Sequence, residues 1–482
     1  MTAVEPEARE VPRSRTSRAL LLLAGVQFVM ILTMSMLSSC LVSIQDSLPT
    51  STPRLSLVTA AYGMAFAGLL LLAGAVVDRG RARRVLTGGL AVFVLGCVVA
   101  AAAPGIDVLL AGRVLQGAGA AFAVPAALVL VGVTHPEPAD RARAMALWGV
   151  VSGLGGVAGL LYGGIVGDLA SWRWTFTLPV LFAVAAVVAL PRLVTDDAEG
   201  HGGAVNHVGA VAATIALGTS SYALITGPED GWTSRVVLAC LAVAAVAAVA
   251  GVLAERRSPD PLVPPVLLRS PSRLLALLTV FLASTAVTTS FFMLAVHYQQ
   301  VLGWNELQTS LGFVPIGAAL FAVSLLASRV VERVPGIPPW GLPAGTALTA
   351  VGLWLVGTGV AADRYAVLLP GLLVLPCGAA VMFAASTVVG MADVDGTTAG
   401  RAGGLLNAVM EAGPTFGLAA ITSLATAVTY AHTSAPGAGD TSDGFATALH
   451  VSGGAYLAVA VILAVLVPAA RPGHRNQMGY SA

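Results

Sequence analysis

The chain is a succession of uninterrupted apolar blocks, each about 19 to 28 residues long, and at 1.5 Å per helical residue each reaches across about 30 Å of hydrocarbon. About fourteen such blocks recur, at residues 19–44, 55–77, 85–103, 106–131, 140–166, 174–193, 208–226, 234–254, 274–300, 307–329, 341–361, 364–391, 401–429 and 450–469. The composition is 57% hydrophobic and only 10% charged, against about 25% charged in soluble domains, and mean hydropathy is +0.86. A water-soluble fold is excluded. Continuously apolar blocks predict helices, because barrel strands would alternate apolar and polar residues over about ten positions. The first block is too long for a cleaved leader and is expected to stay in the mature protein.

All 25 basic residues are arginines. With the N-terminus inside, about twenty of them fall in cytoplasmic segments and about four outside, as the positive-inside rule requires. An even span count preserves that bias, so both termini are predicted to be cytoplasmic. The net charge of +1 gives no reason to expect nucleic acid, and the basic loops need only anionic membrane lipids as partners. Cys40, Cys97, Cys240 and Cys377 all fall within predicted spans and read as small core residues rather than a disulfide framework. The Arg-only, Ala/Gly/Val-rich usage points to a high-GC bacterium and its cell membrane.

Polar stretches at 195–207 and 255–273 bracket spans seven and eight, which look inserted. The predicted organisation is a cytoplasmic tail (1–18), a six-helix bundle (19–193), a linker with two inserted helices (194–273), a second six-helix bundle (274–470) and a cytoplasmic tail (471–482). Two related halves around a central pathway are how transporters hold a substrate site at mid-membrane. Within the fourth span, Arg113 is an ionisable residue at membrane depth, where a cation costs several kcal/mol unless it is repaid by partners.

Several motifs carry a family resemblance. The segment Ala60–Arg79, the run Leu109–Ala120 around Arg113 and Gln116, and Gly155-x-x-x-Gly159-Leu-x-x-Gly163-Gly164 followed by Trp172-Arg-Trp-x-Phe176 occur in order in the first half. His297-Tyr-Gln-Gln-Val-Leu-Gly303 and Ala402-Gly-Gly-Leu-Leu-Asn407 follow in the second. Together they resemble the major facilitator superfamily, specifically its branch of fourteen-span drug:proton antiporters, over nearly the whole chain. That resemblance implies an all-α polytopic membrane protein with the major facilitator fold: two six-helix bundles plus two inserted transmembrane helices, 14 spans.

Each motif keeps two physical readings. Asp78, Arg79 and Arg83, where spans two and three meet the cytoplasm, form either a conformational latch or a solvated turn. Arg113 is either a clamp on first-span carbonyls or an electrostatic partner that lowers a nearby carboxylate's pKa, with Gln116 on the same helix face. Gly155, Gly159 and Gly163 make a strip for close packing or for pivoting.

The antiporter branch commonly carries an acid in its first span, and the matching position here is Thr33, which cannot titrate; the fifth-span proline is replaced by Leu160. The remaining proton-coupling candidate is Glu411, about ten residues or ~15 Å past Arg401 and so near the midplane. The alternative roles for Glu411 are binding a cationic substrate and serving as a structural acid. Asp46, near the outer end of the first span, reads as solvated.

A drug-type cavity is apolar and aromatic with few polar groups. Its candidate lining is Gln27, Phe28, Ser35, Tyr62, Phe66, Gln116, Trp148, Phe291, Phe292, His297, Tyr298, Asn407 and Phe416. Gly153-Leu-Gly-Gly-Val-Ala158 formally matches a dinucleotide fingerprint but lacks the strand and the later acid that the fingerprint needs. No zinc-protease or nucleophile-elbow motif is present, so neither catalysis nor a metal or other cofactor is expected. The expected activity is export of amphipathic drugs, antibiotics or toxic compounds by proton antiport with alternating access, in a monomer whose partners are the small-molecule substrate, protons and lipids. The alternative is an exporter or facilitator of an endogenous metabolite, without proton coupling.

Overall fold

The computed structural model describes residues 13–77, 81–135, 137–194, 206–258, 261, 263–320, 322–323, 338–392, 394, 399–429 and 438–469. Every regular element among them is helical. Helix α1 (Arg13–Ser35) passes through a 3-10 turn (Met36–Ser39) into α2 (Leu41–Ser47), so the first apolar block is broken near its far end. There follow α3 (Thr52–Val77), α4 (Ala82–Ala101), α5 (Ile106–Thr134), α6 (Pro138–Leu169), a 3-10 turn (Trp172–Phe176) and α7 (Thr177–Leu193). The pair α8 (His207–Asp230) and α9 (Arg235–Arg257) comes next, then the short α10 (Pro265–Leu268), α11 (Pro271–Val296), a π-helical turn (His297–Val301) and α12 (Glu306–Gly312). The last four long helices are α13 (Pro338–Ala361), α14 (Tyr365–Met391), α15 (Ala399–Thr429) and α16 (Ala438–Ala469). The end of the molecule where α1 begins is proximal, and the opposite end distal.

Eleven described helical segments are long and apolar enough to cross a bilayer, and two shorter apolar stretches, Arg54–Leu70 and Leu154–Leu169, lie in α3 and α6. The block expected at 307–329 is helical at 306–312 and 314–320, interrupted at Phe313. A helix satisfies its own backbone in lipid, and polar side chains must do likewise. Many hydroxyls bond back to the carbonyl one turn earlier: Thr33 to Val29 at 2.7 Å, Thr279 to Leu275 at 2.8 Å, Thr422 to Leu418 at 2.6 Å and Ser452 to Ala448 at 2.7 Å. Valines and leucines such as Leu95, Val246 and Val465 are exposed, as residues facing acyl chains are.

Helices α1, α3, α4, α5, α6 and α7 pack among themselves, as do α11 and α13–α16. Helix α8 packs on α9, on α3 and on α15, and so touches both groups. A close crossing is that of α4 on α5, where glycines from each helix face the other's backbone. A Cβ on Gly96 would lie 2.8 Å from the Gly112 carbonyl oxygen, and one on Gly119 would lie 2.6 Å from that of Gly89. The reciprocal pairing fixes this crossing by shape alone.

Overpacking of this kind costs about 1–3 kcal/mol or more. Gly119→Val is therefore expected to lower the thermal stability of the detergent-solubilised protein, whereas Gly88→Ala, at a position with open space around it, leaves the melting curve in place.

Candidate functional site

Arg113 is wholly buried, with 0% of its surface exposed. Its Nε donates to the Val58 carbonyl of α3 at 2.9 Å, and Nη1 donates to the Thr33 carbonyl of α1 at 3.2 Å and to Gln116 Oε1 at 2.9 Å. Gln116 Nε2 in turn donates to Cys97 Sγ of α4 at 3.4 Å. One guanidinium thus ties α1, α3 and α5 together and reaches α4 through the amide. Its plane also lies 4.8 Å from the centre of the Tyr62 ring, a cation–π contact. Thr33, at the position expected for a first-span acid, spends its hydroxyl on α1 and lends Arg113 its carbonyl.

Tyr62 connects this cluster to the second half. Its hydroxyl donates to the Met30 carbonyl at 3.1 Å, its ring stacks on Phe66 with centroids 6.2 Å apart, and it interacts electrostatically with both Arg113 and Glu411. Glu411 lies partly buried in α15, which packs directly on α3. The packing of these two helices therefore places Glu411 within electrostatic range of Tyr62, which itself contacts Arg113 and Phe66.

The glycines of α6 lie against α1. A Cβ on Gly155 would lie 3.0 Å from the Phe28 carbonyl oxygen, one on Gly159 would lie 2.5 Å from that of Leu32, and one on Gly163 would strike that of Met36. Ser35 Oγ donates to the Gly156 carbonyl at 2.9 Å, which commits this predicted ligand-facing hydroxyl to the α1–α6 seam. Further along the strip the neighbour changes: Gly164 and Gly167 face Ser310 and Glu306 of α12.

At the distal end that seam becomes a junction between the halves. Ser310 Oγ donates to the Leu160 carbonyl at 2.7 Å and lies 3.0 Å from Ser39 Oγ. Gln299 accepts from the Val42 N–H at 3.2 Å and donates to the Ser39 carbonyl at 2.6 Å, and Gln300 donates to Gln45 at 2.8 Å. Glu306, 7% exposed, accepts from Ser43 Oγ and from Cys40 Sγ, the latter at 3.6 Å. It stands at the mouth, outside the long spans, where burial pushes its carboxyl above the ordinary range while the two hydrogen bonds pull the other way.

Other predicted residues lie elsewhere. His297 and Tyr298 sit in the distal π-helical turn: His297 is fully buried 3.9 Å from Asp363, and Ser442 bridges the two. Tyr298 joins an aromatic group with Trp304, Phe313 and Tyr365, to which Phe291 attaches through Phe313, while Phe292 is buried in the same core. Gln27, Phe28 and Trp148 are partly buried and Asn407 is exposed. Phe416 lines a cavity of ≈ 990 Å³ walled by α8, α9 and the 261–269 segment, away from the Tyr62 group. Arg83 donates to the Val194 carbonyl at 3.3 Å; Asp78 and Arg79 lie outside the described residues.

Glu306, Ser310 and Asp363 were not signalled by the sequence, and Gln299 appeared there only as part of the His297–Gly303 motif. The one available hint was Asn305-Glu-Leu-Gln308, a capping box that the structure contains and that fixes where α12 starts.

Among solved structures, a peptide transporter of the POT family bound to a thioalcohol-conjugated peptide superimposes with a TM-score of 0.69, at 14% identity, over 94% of this chain and 97% of its own. A bacterial homologue of the human lysosomal transporter Spinster, inward-facing and occupied, gives 0.67 at 14% identity over 96% and 98%. In sequence, the puromycin resistance protein pur8 of Streptomyces alboniger is 30% identical over 96% of this chain and 94% of its own length. The cephamycin export protein CmcT of Amycolatopsis lactamdurans is 32% identical over 87% and 88%, and a methylenomycin A resistance protein of Streptomyces coelicolor is 30% identical over 79% of each. The Major Facilitator Superfamily profile matches residues 23–418, and with a helical fold of this kind around the Arg113 cluster the chain belongs to that superfamily of membrane transporters.

Proposed function

We propose that this transporter exports amphipathic antibiotics or similarly toxic compounds from the cell in exchange for protons. It does so by alternating access, as a monomer of fourteen spans in a bacterial cell membrane with both termini cytoplasmic. The observation that carries the reading is the packing of the Glu411 helix, from one half, on the Tyr62 helix, from the other, which puts the carboxyl within electrostatic range of the ring that covers Arg113. A carboxyl placed there can hold a proton when it faces a desolvated site and release it when water enters. An aromatic face beside it suits amphipathic cations and neutral aromatic compounds. Its relatives named for resistance to puromycin and methylenomycin and for cephamycin export support the substrate class.

Alternating access is supported by the way the halves meet distally. The bonds joining the Met36–Ser39 turn, Cys40, α2 and α6 to the π-helical turn and α12 are few and neutral apart from Glu306, so they can break and re-form without stranding an ion pair. With termini inside, this junction is the outer gate. The asymmetric glycine strip of α6, held to α1 on one side and to α12 on the other, is where rocking would slide. A second reading, export without proton coupling, is favoured by the absence of a titratable group at Thr33.

Cells producing the protein are expected to accumulate less of a substrate antibiotic than cells lacking it, with the difference abolished by a protonophore. Persistence of export after both pH gradient and membrane potential collapse would select the uncoupled reading. Glu411→Gln is expected to lose concentrative, pH-dependent export while retaining substrate exchange across reconstituted vesicles; an unaltered pH dependence removes Glu411 from coupling.

A further inference from the structure

Glu306 is the only acidic side chain built into the bonds that join the halves distally among the described residues, and its hydrogen-bond partners Ser43 and Cys40 both come from the opposite half. No cation pairs with it among the described residues. Its ionisable surroundings make a negative charge less favourable: Asp168, near the end of α6, repels it, and the Cys40 thiol is itself buried. Asp46 stands further along α2, exposed. From the π-helical turn, His297 is turned to Asp363, and Tyr298 to its aromatic neighbours. On α6, Tyr162 hydrogen-bonds towards Trp174. A carboxyl closed into this setting exchanges water for two neutral donors and a like charge.

We propose that Glu306 is a proton-binding site of the outer gate, filled from external water as the gate closes and emptied as it opens. The assignment rests on the alternating-access reading above and adds a second protonation site, independent of Glu411. In closing, external hydronium gives its proton to one carboxylate oxygen, forming an O–H bond that donates to Ser43 Oγ. The other oxygen keeps the Cys40 thiol as donor. In opening, that O–H bond breaks to water and the carboxylate is hydrated. Because the closed form binds the extra proton, linkage makes low external pH favour closure and high external pH favour opening. The neighbouring Gly167 lies against the carboxyl group, and a Cβ there would push it aside.

The test is a distance measurement between spin labels at Pro49 and Val301, on opposite sides of the gate, in the full-length protein reconstituted in nanodiscs. Cys97, Cys240 and Cys377 are replaced by Ala and Cys40 by Ser, which keeps a donor. Between about pH 5.5 and 8.5, a range that brackets ordinary and raised carboxyl values, the parent is expected to shift from the short to the long distance. Glu306→Gln, neutral and isosteric with the protonated acid, is expected to keep the short distance throughout. Ser43→Ala leaves the acid in place but removes the hydroxyl that bonds the carboxyl in the closed gate, so its transition should move along the pH axis. A parent with two distance populations insensitive to pH, a pH response surviving in Glu306→Gln, or an unshifted transition in Ser43→Ala overturns the assignment. A parent with one distance under every condition, substrate included, overturns alternating access as well. Failure of proton coupling at Glu411 would leave the gate's response to pH intact, so the two readings fail separately.

Discussion

A full positive charge with no exposed surface is the constraint around which the first half is arranged. Arg113 is stabilised by the carbonyls of Val58 and Thr33, the Gln116 amide and the Tyr62 ring face. Hydrogen bonds to a charged donor are roughly twice as strong as neutral ones. Each of these acceptors belongs to backbone or to a neutral group, so the cluster survives only if α1, α3 and α5 keep their mutual register. A helix that moved alone would strand the charge, which costs far more than any single bond returns. In the proposed alternating-access cycle the first half would therefore move as a body.

The same reasoning separates what holds each half together from what joins the halves. Inside them, glycine-mediated contacts such as Gly96 with Gly112 bring backbones into direct contact, and side chains such as Thr285 and Tyr456 bond the carbonyls of Gly413 at 2.9 Å and Leu282 at 2.7 Å. Between them, the distal bonds run largely through flexible Gln, Ser and Glu side chains. Contacts made by backbone shape resist sliding, and contacts made by side-chain tips exchange for water with little loss. Rigidity and mobility follow from which atoms touch.

The sequence revealed the parts that depend on local pattern. Long apolar runs specify helices in lipid whatever they pack against, and Arg113 stood out because a cation in such a run needs an explanation. Its partners were hidden, since Val58 and Thr33 contribute carbonyls that every residue possesses. Ser35 and Phe416 read as cavity residues by type, yet one is engaged in the α1–α6 seam and the other faces the α8–α9 side; residue type does not say which helix face meets which neighbour. Glu306 was invisible for a different reason. An acid in the first turn of a helix is what the helix dipole favours, so nothing in the sequence distinguished a common terminal residue from a buried bridge.

Helix α8 touches α3 on one side and α15 on the other, with Gly68 of α3 set against Thr214 and with Ser423 of α15 bonded to the Leu224 carbonyl. If the halves rock as proposed, a strut fastened to both would have to release one anchorage, and the firmer of the two would decide which half carries the α8–α9 pair as freight. The ≈ 990 Å³ recess that Phe416 shares with that pair would then widen or narrow with each turnover, a breathing volume set in the wall of the machine.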